Sequence, residues 1–463
     1  MKKEANGNRL GSQAMGPLVL SMSLPMMVSL LIQSLYNIVD SVFVARLSEE
    51  ALTAASLAYP VQMLMIAAGV GTAVGVNAIL SRTLGMNNHE EASRIAQTGL
   101  ALSAACALLF AAGGLVFAER LADRFTDDPQ IAAQCASYLW ICMVFCLGNL
   151  VCMVFQRLLQ AAGRAVLSMV ILVSGAVCNL ILDPVMIFGL LGCPAMGIRG
   201  AAWATVIGQW VSMFVGLILN MKLNPDLNLA LPGFRMEKDR ILKIYQVGLP
   251  TMIMQAMTSF MVTAFNAILL PFSSTAVAFF GVYYKLQNFL FMPMNGLGQA
   301  AIPIAGYNYG AGRPERILEA GKIIYISACS VSLAGTAVFH LFGGSLLGLF
   351  SAGEAMRELG IPALRIISLT FVPAGVTMIT GYFASGLGDG ITNMAAAFLR
   401  QFVPLIPCAF FLARYGGIGR VWYAFWISEA AGLVFALFRL RKMSCQIKEK
   451  PWAGKGSGRS DML

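Results

Sequence analysis

The feature that most constrains this chain is a series of long intervals without a charged residue, such as 51–81 and 95–118. An α-helix of about 20 apolar residues spans the hydrocarbon core of a bilayer, and each of these intervals is long enough to form one. Only 12% of the 463 residues are charged and 58% are hydrophobic, whereas soluble proteins carry about 25% charged residues. These observations exclude a soluble fold and indicate a polytopic membrane protein.

The charge-free intervals predict twelve transmembrane helices and therefore an all-α fold. The interval 244–284 is long enough for one helix and the start of the next, and the Pro and Ser residues at 270–274 predict a turn between them. Residues 420–441 form a final helix that contains Glu429. The other helices are assigned to the intervals 10–39, 51–81, 95–118, 129–156, 165–182, 200–221, 286–312, 323–353, 366–388 and 401–413.

The basic residues indicate how the chain is oriented. With both termini placed in the cytoplasm, 22 of the 32 Lys and Arg residues fall in cytoplasmic segments, 7 fall outside, and Lys285, Arg365 and Arg400 lie within spans. Short cytoplasmic loops carry an excess of Lys and Arg, so this topology satisfies the positive-inside rule and its inverse does not. Although the net charge is +10, these residues are scattered singly and form no stripe for a nucleic acid. We expect a multi-pass protein of the cell (inner) membrane.

The chain contains an internal repeat with an offset of 225 residues, because Leu24-Pro25 recurs as Leu249-Pro250 and Gly85 recurs as Gly310. Six spans per repeat is an even number, so both halves run in the same direction, which predicts a parallel repeat with a binding cavity between two lobes. The polar composition of the linker between the halves predicts few buried contacts. The predicted organisation is a cytoplasmic N-terminus at 1–13, an N-lobe at 14–221, a cytoplasmic linker at 222–240, a C-lobe at 241–441 and a disordered cytoplasmic tail at 442–463.

Three segments resemble motifs of the multidrug and toxic compound extrusion (MATE) family. They are QSLYNIVD at 33–40, CNLILDP at 178–184 followed by IFG at 187–189, and PIAGYNYGA at 303–311. The similarity runs from about Met15 to Arg441. It implies an inverted-V fold of two six-helix lobes, and an antiporter that exports organic cations in exchange for protons or sodium ions.

Asp40 is the first candidate for chemistry, because a charged Asp at the centre of a bilayer costs roughly 2.5 to 3.5 kcal/mol on insertion scales. Gln33, Tyr36 and Asn37 precede it by seven, four and three residues, which places all four on one polar stripe of the first helix. The stripe predicts that Asp40 faces the interior of the bundle. The alternative is an Asp at the helix end in the interface, satisfied by water near Arg46.

A second candidate lies in the fifth span, where Asn179 and Asp183 are four residues apart and share a helix face. Pro184 cannot donate a backbone hydrogen bond, so it frees a carbonyl oxygen beside the carboxylate. Carboxylate, amide and carbonyl oxygens are hard ligands that suit Na⁺, and a buried carboxyl beside a second acid holds an exchangeable proton more readily. The alternative is a capped helix terminus near the outer surface.

The resemblance also implies roles for these residues. It places the coupling proton or a possible Na⁺ at Asp40, Asn179 and Asp183, with Thr205 as a weaker member of the site. Pro25, which lacks a backbone N–H and weakens the first helix, is the predicted hinge. The weaker candidates for the N-lobe cavity are Gln33, Tyr36, Asn37 and Tyr138.

The second half offers fewer candidates. Its seventh span contains Gln255, and its tenth span has no acid until Asp389 at its cytoplasmic end, which argues against coupling through the C-lobe. Lys285 and Glu429 are the remaining charges predicted to be buried in the spans. They either form a pair or a gate, or they are interfacial residues whose side chains reach water.

The main prediction is a monomeric exporter of small organic cations in the lipid bilayer, without a cofactor. A lipid-linked oligosaccharide flippase of the same superfamily is the alternative, and it requires a more cationic cavity for pyrophosphate, to which Lys285, Arg365 and Arg400 could contribute. An intramembrane enzyme is not supported. The sequence has only two His residues, no HExxH motif, and no Ser or Cys beside a base.

Overall fold

The structure is a computed structural model that describes residues 8–230, 232–350 and 353–449, apart from the side chain of Ser259. Over these residues it contains seventeen α-helices, one 3₁₀ turn at Leu190–Gly192 and no β-strand. The predicted all-α fold is therefore confirmed. Residues 1–7 of the predicted N-terminus and 450–463 of the predicted tail lie outside the described residues.

The helices are numbered in chain order. The first half contains α1 (Arg9–Ser12), α2 (Met15–Leu47), α3 (Glu49–Gly85), α4 (His89–Phe125), α5 (Pro129–Val144), α6 (Leu147–Ala161), α7 (Ala165–Phe188) and α8 (Ile198–Leu223). The second half contains α9 (Lys238–Leu269), α10 (Ser274–Gly310), α11 (Pro314–Gly348), α12 (Glu354–Ser368), α13 (Phe371–Gly386), α14 (Gly390–Gln401), α15 (Leu405–Gly416), α16 (Ile418–Val421) and α17 (Ala424–Glu449).

Within the described residues, nine helical segments are long and apolar enough to cross a membrane. Two bent pairs, α5 with α6 (45°) and α12 with α13 (50°), raise the number to as many as eleven. The predicted eighth span corresponds to α10, a 37-residue helix that is not among these eleven. The turn predicted at 270–274 separates α9 from α10. The chain is an all-helical, polytopic membrane protein.

Several helices continue past the charge-free intervals into charged residues. α3 begins at Glu49 and Glu50 and has Arg82 in its last turn, because acidic side chains are favourable at a helix N-terminus and basic ones at a C-terminus. α17 likewise ends in a basic turn and continues to Glu449. The prediction of a disordered tail from residue 442 is therefore wrong for residues 442–449.

The chain forms two compact units, and each is discontinuous in sequence. The N-unit comprises Ser21–Leu80 and His89–Ser259, and the C-unit comprises Ser81–Asn88 and the described parts of Met1–Leu20 and Phe260–Leu463. The N-unit core contains many small side chains, such as Cys135 and Ala202. The C-unit core contains instead a set of buried aromatic rings: Phe265, Phe279, Phe280, Tyr283, Phe371, Trp422 and Phe425.

Glycines allow helix backbones to touch within each unit. In the N-unit, a Cβ on Gly75 of α3 would collide with the carbonyl oxygen of Ile244 in α9. In the C-unit, a Cβ on Gly85 would collide with the carbonyl oxygen of Tyr307, and one on Gly310 with that of Arg82. The two C-unit contacts correspond to each other in the repeat, because Gly85 and Gly310, like Arg82 and Tyr307, are 225 residues apart.

The first part of the linker is held against the start of α4, so the prediction of few buried contacts is wrong there, whereas residues 232–239 are exposed as predicted. The backbone N–H of Asn228 donates to Ser93 Oγ (2.8 Å), and Gln97 Nε2 donates to the carbonyl of Leu229 (3.1 Å). Arg240, which is 8% exposed, donates to both carboxylate oxygens of Glu91 at 2.8 and 2.9 Å. Polar side chains in the first turns of α4 thus satisfy the linker backbone, which composition alone does not reveal.

Candidate functional site

The candidate site is built on α7, where helical spacing brings Asn179 over Asp183. Asn179 Nδ2 donates to Asp183 Oδ1 at 3.2 Å, and Asp183 is fully buried. Pro184 follows within the same helix and has no N–H to donate to the carbonyl four residues earlier. One turn of α7 therefore presents a carboxylate and an amide beside a main-chain oxygen that has lost its usual helical donor.

A close approach between α7 and α8 adds the next member of the site. A Cβ on Gly208 of α8 would lie 2.8 Å from the carbonyl oxygen of Gly175 and 3.2 Å from Asn179 Cβ, so the two backbones are nearly in contact. This proximity lets Asn179 Nδ2 also donate to Thr205 Oγ1 at 3.4 Å. Thr205 is half-buried.

Asp40 of α2 completes the site, because its carboxyl group lies within electrostatic range of that of Asp183. Asp40 Oδ1 and Asp183 Oδ2 are both buried without a hydrogen-bond partner. Among the described residues, neither carboxyl forms an ion pair with a basic side chain. Two neighbouring carboxyls that are shielded from water repel each other when both are charged. A proton or a bound cation relieves that repulsion.

Tyrosine side chains lie around the two acids. Tyr36 lies one turn before Asp40 and within electrostatic range of both carboxyls. Tyr138 of α5 is buried near Asp40 and Tyr36. Its hydroxyl accepts a hydrogen bond from Gln62 Nε2 of α3 at 3.4 Å.

Gln62 is a site residue that sequence reasoning did not identify. Its amide also contacts the thiol of Cys142 at 3.6 Å, so it connects α3 to the face of α5 that bears Tyr138. The available signal was an amide two residues after Pro60, one of only two amides (with Asn77) in the charge-free interval 51–81. A polar side chain at such a position needs a partner inside the bundle.

Other predicted members are not brought to the acids. Asn37 is exposed and Gln33 is half-buried, and no hydrogen bond joins either side chain to Asp40 or Asp183 in the described part of the chain. The stripe on α2 is therefore split, with Tyr36 and Asp40 at the site. Pro25 lies inside the continuous helix α2, where its carbonyl accepts from Ser29 Oγ at 2.7 Å.

The C-unit contains a different buried charge. Glu429 pairs with Arg400, with Nε to Oε1 at 2.7 Å, whereas Lys285 is exposed on α10. The proposed Lys285–Glu429 pair is therefore wrong, because Arg400 of α14 already neutralises Glu429. Gln255, the other candidate of the second half, is exposed on α9.

The side chains of the site are oxygen donors and thus suit a proton, Na⁺ or an organic cation. Among the described residues there is no group of three or more His, Cys, Asp or Glu that could hold a metal ion in the manner of a transition-metal site. Carboxylate, amide, hydroxyl and main-chain oxygens are instead the ligands that hard cations prefer.

Comparison with known proteins supports the repeat and the fold. The model of the MatE family matches this chain twice, at residues 25–185 and 250–411. The starts of the two matches are separated by the 225 residues of the internal repeat. Together the matches cover well over half of the chain.

Two relatives that align with this chain over about nine-tenths of both lengths are named as multidrug export proteins. The multidrug export protein MepA of Staphylococcus haemolyticus is 25% identical over 419 residues, covering 90% of this chain and 91% of that protein. MepA of Staphylococcus aureus is 24% identical over 427 residues, covering 90% and 93%. A solved transporter of the MOP superfamily from Pyrococcus furiosus is 25% identical, with a TM-score of 0.88 over 97% of this chain and 100% of its own.

Proposed function

This chain belongs to the MatE family of membrane transporters, and from that premise we propose that it is a secondary active antiporter. It exports organic cations or drugs from the cytoplasm in exchange for protons or sodium ions, by alternating access. The names of the MepA relatives support the drug-export part of this proposal.

The single observation that carries the proposal is a pair of neighbouring carboxyls, Asp183 fully buried and Asp40 half-buried, which has no basic partner among the described residues. Asp40 and Asp183 lie within electrostatic range of each other, and Asn179 donates to both Asp183 and Thr205. Burying one uncompensated carboxylate is already costly, and two are worse. The site therefore requires a positive charge from outside the protein, and it can take that charge as a proton, as Na⁺ or as an organic cation.

Competition for this charge produces exchange. When a proton or Na⁺ neutralises the pair, the attraction for a cationic drug falls and the drug is released. When the coupling ion leaves on the cytoplasmic side, the negative charge returns and a new drug binds. Linkage requires that drug and ion each weaken the other's binding by the same factor.

The proposed hinge is Pro25, which lies before Asp40 in the same helix, α2.

The flippase alternative is less well supported. A pyrophosphate ligand needs several basic side chains without an acidic partner. The sequence places three basic residues within the spans, Lys285, Arg365 and Arg400. Arg400 is neutralised by Glu429, which leaves Lys285 and Arg365. By contrast, the acid pair of the N-unit would repel an anionic ligand.

We further infer that the protein is a monomer in the cell membrane with both termini in the cytoplasm. The distribution of 22 Lys and Arg residues inside and 7 outside supports this orientation. The coupling ion is the only further component required, since the proposed cycle uses no cofactor.

The proposal is tested by exchange in proteoliposomes loaded with a fluorescent organic cation. An inward gradient of H⁺ or of Na⁺ should drive export of the dye, and Asp183→Asn should abolish it, because the isosteric amide cannot carry the exchangeable charge. Asp123→Asn, an exposed acid of the same unit, is the matched control and should transport normally. Gradient-driven export by Asp183→Asn at the wild-type rate would refute the proposal.

A further inference from the structure

The buried ion pair of the C-unit is the most enclosed charged group outside the site already described. Arg400 of α14 and Glu429 of α17 are joined at 2.7 Å, and their side chains are 9% and 7% exposed. Their charges cancel, so the pair carries no net charge. Burying a charge without a partner is costly, and the guanidinium offsets part of that cost.

The backbone around Arg400 holds its guanidinium in place. Arg400 lies in the last turn of α14, and the helix breaks at Phe402, which has φ −130°. The Arg400 carbonyl accepts a hydrogen bond from Ser428 Oγ of α17. A Cβ on Gly432, one turn after Ser428, would lie 3.2 Å from Arg400 Cγ. Arg400 is therefore anchored to α17 by its main chain and by packing along its stem.

The pair does not use all the hydrogen-bonding capacity of its surroundings. Glu429 Oε2 is buried without a hydrogen-bond partner in the described part of the chain, and so is the hydroxyl of Tyr283. Tyr283 is fully buried on α10 and lies within electrostatic range of both Glu429 and Arg400. The guanidinium carbon also lies 5.7 Å from the ring centre of Phe291, within the range of a cation–π contact.

These groups surround a positive charge as a cation-binding site would, but the cation is the guanidinium of Arg400. A carboxylate with a free oxygen, a phenol hydroxyl and an aromatic face are groups that would receive a proton or a small organic cation. Arg400 supplies the positive charge in their midst. In the N-unit, the corresponding charge must come from solution, because Asp40 and Asp183 have no basic partner among the described residues.

We propose that Arg400 is a resident counter-cation which keeps Glu429 out of ion exchange, so that Glu429 is a latent cation site that opens when the guanidinium is removed. This inference builds on the proposed antiport, in which the N-unit exchanges the ion, and it makes Arg400 a specificity-determining residue. The charged and titratable groups that face Glu429 are Arg400 from α14 and Tyr283 from α10, with Tyr284 adjacent to Tyr283.

The test uses infrared difference spectroscopy, which detects protonated carboxyl groups and requires no transport. Spectra of the purified protein are compared between mildly acidic and alkaline pH, in the range where exposed carboxylates stay ionised. The background is Asp40→Asn/Asp183→Asn, which leaves Glu429 as the only buried acid among the described residues. In this background we expect no band of a protonated carboxyl group.

Adding Arg400→Gln to the background should produce a pH-dependent carboxyl band, and adding Glu429→Gln as well should remove it. Arg400→Lys should produce no band, because the ammonium group still supplies a positive charge. The inference is overturned by a band that appears in the background with Arg400 intact and disappears with Glu429→Gln. It is equally overturned if folded Arg400→Gln shows no band.

The background variant leaves the ion pair untouched, so a Glu429 band in its spectra overturns the inference even if Arg400→Gln does not fold. The failure of the proposed function would look different, because the infrared bands are recorded without any gradient or drug. A protein that transports nothing could still show the expected bands, and an active antiporter could still fail to show them.

Discussion

The two units solve the same electrostatic problem in opposite ways. Each places carboxyl groups where water is scarce. In the N-unit, Asp40 faces a second acid, Asp183, and no described basic side chain neutralises them. In the C-unit, Glu429 has its own guanidinium at 2.7 Å. A carboxylate paired with a guanidinium of the protein is already compensated. A pair of carboxylates without a basic partner is compensated only by a proton or a cation from solution.

The contrast explains how two halves built from one repeat can take different roles. The matched segments begin 225 residues apart, but the acids do not follow the repeat. Asp183 would map to position 408, which is Cys408. The C-unit carries its acid on α17 and its base on α14 instead. The shared fold therefore places helices, and in the proposed antiport the few polar side chains within them decide where ions exchange.

The largest effect on stability is expected from Arg400→Met. This change leaves Glu429 buried without a partner, and breaking a buried pair in this way costs about 3–5 kcal/mol. Glu429 regains neutrality when it takes a proton, so the loss should shrink as the pH falls. The free energy of unfolding, measured in detergent at several pH values, checks both points.

Two comparison variants make this prediction sharper. Arg400→Met/Glu429→Leu should return to within about 1 kcal/mol of the wild type, because apolar residues often replace a buried pair without loss. Asp183→Asn should show no loss at neutral pH, since it removes one of two repelling groups. A loss of equal size at every pH in both Arg400 variants would contradict the role given to Glu429.

The next effect concerns binding rather than stability. In the wild type, protons or Na⁺ should weaken the binding of a fluorescent organic cation by a factor on the order of 5–150, the range of typical coupling energies. Asp40→Asn should reduce this factor to about one, because the pair can no longer exchange its charge. Titration of the dye across pH and Na⁺ concentration measures the factor.

The matched variant in the C-unit is Glu429→Gln, which should keep the full dependence on the ion. If instead Asp40→Asn keeps it, or the wild type binds the dye equally under all conditions, Asp40 does not couple. The interfacial alternative, with Asp40 satisfied by water at the helix end, would then be the better interpretation.

A smaller effect is expected from adding a methyl group beneath each site. Gly208→Ala places a Cβ 2.8 Å from a backbone oxygen of Gly175 and 3.2 Å from Asn179. α7 and α8 must then move apart, at a cost of about 1–3 kcal/mol. Asn179 would be displaced from Thr205, so ion affinity should fall together with stability.

Gly432→Ala is the control for that change. Its nearest neighbour would be the flexible stem of Arg400 at 3.2 Å, which can shift without moving a backbone. We expect a change within about 0.5 kcal/mol and unaltered ion affinity. Equal losses in the two variants would show that backbone contact does not set the geometry of the acid site.

The sequence was sufficient for features that depend on local spacing. Charge-free intervals located the helices, and the spacing of four residues predicted that Asn179 and Asp183 share a face. One wrong prediction also came from reading a local segment by its composition. The glycines at positions 454, 456 and 458 suggested a disordered tail from residue 442, but residues 442–449 continue the long helix α17, whose last turn is basic.

Features that depend on tertiary packing could not be read from one sequence. Arg400 and Glu429 are 29 residues apart and lie on α14 and α17, with the backbone break at Phe402 and the helices α15 and α16 between them. Lys285 was an equally good partner by sequence, and only the packing of α14 on α17 excludes it. Gln62 was missed for the same reason, since its partner Tyr138 is 76 residues away.

The smallest predicted effect compares two buried tyrosines, one at each site, and the expected signs are opposite. Tyr138 accepts a long hydrogen bond from Gln62, so Tyr138→Phe should destabilise the protein by about 0.5–1 kcal/mol, since the amide loses a partner. The hydroxyl of Tyr283 is buried without a partner in the described part of the chain. Removing an unsatisfied hydroxyl is neutral or stabilising by up to about 1 kcal/mol. Thermal unfolding of the two variants measures the difference, and equal shifts of the same sign would mean that the hydroxyl of Tyr283 contributes to the C-unit pair after all.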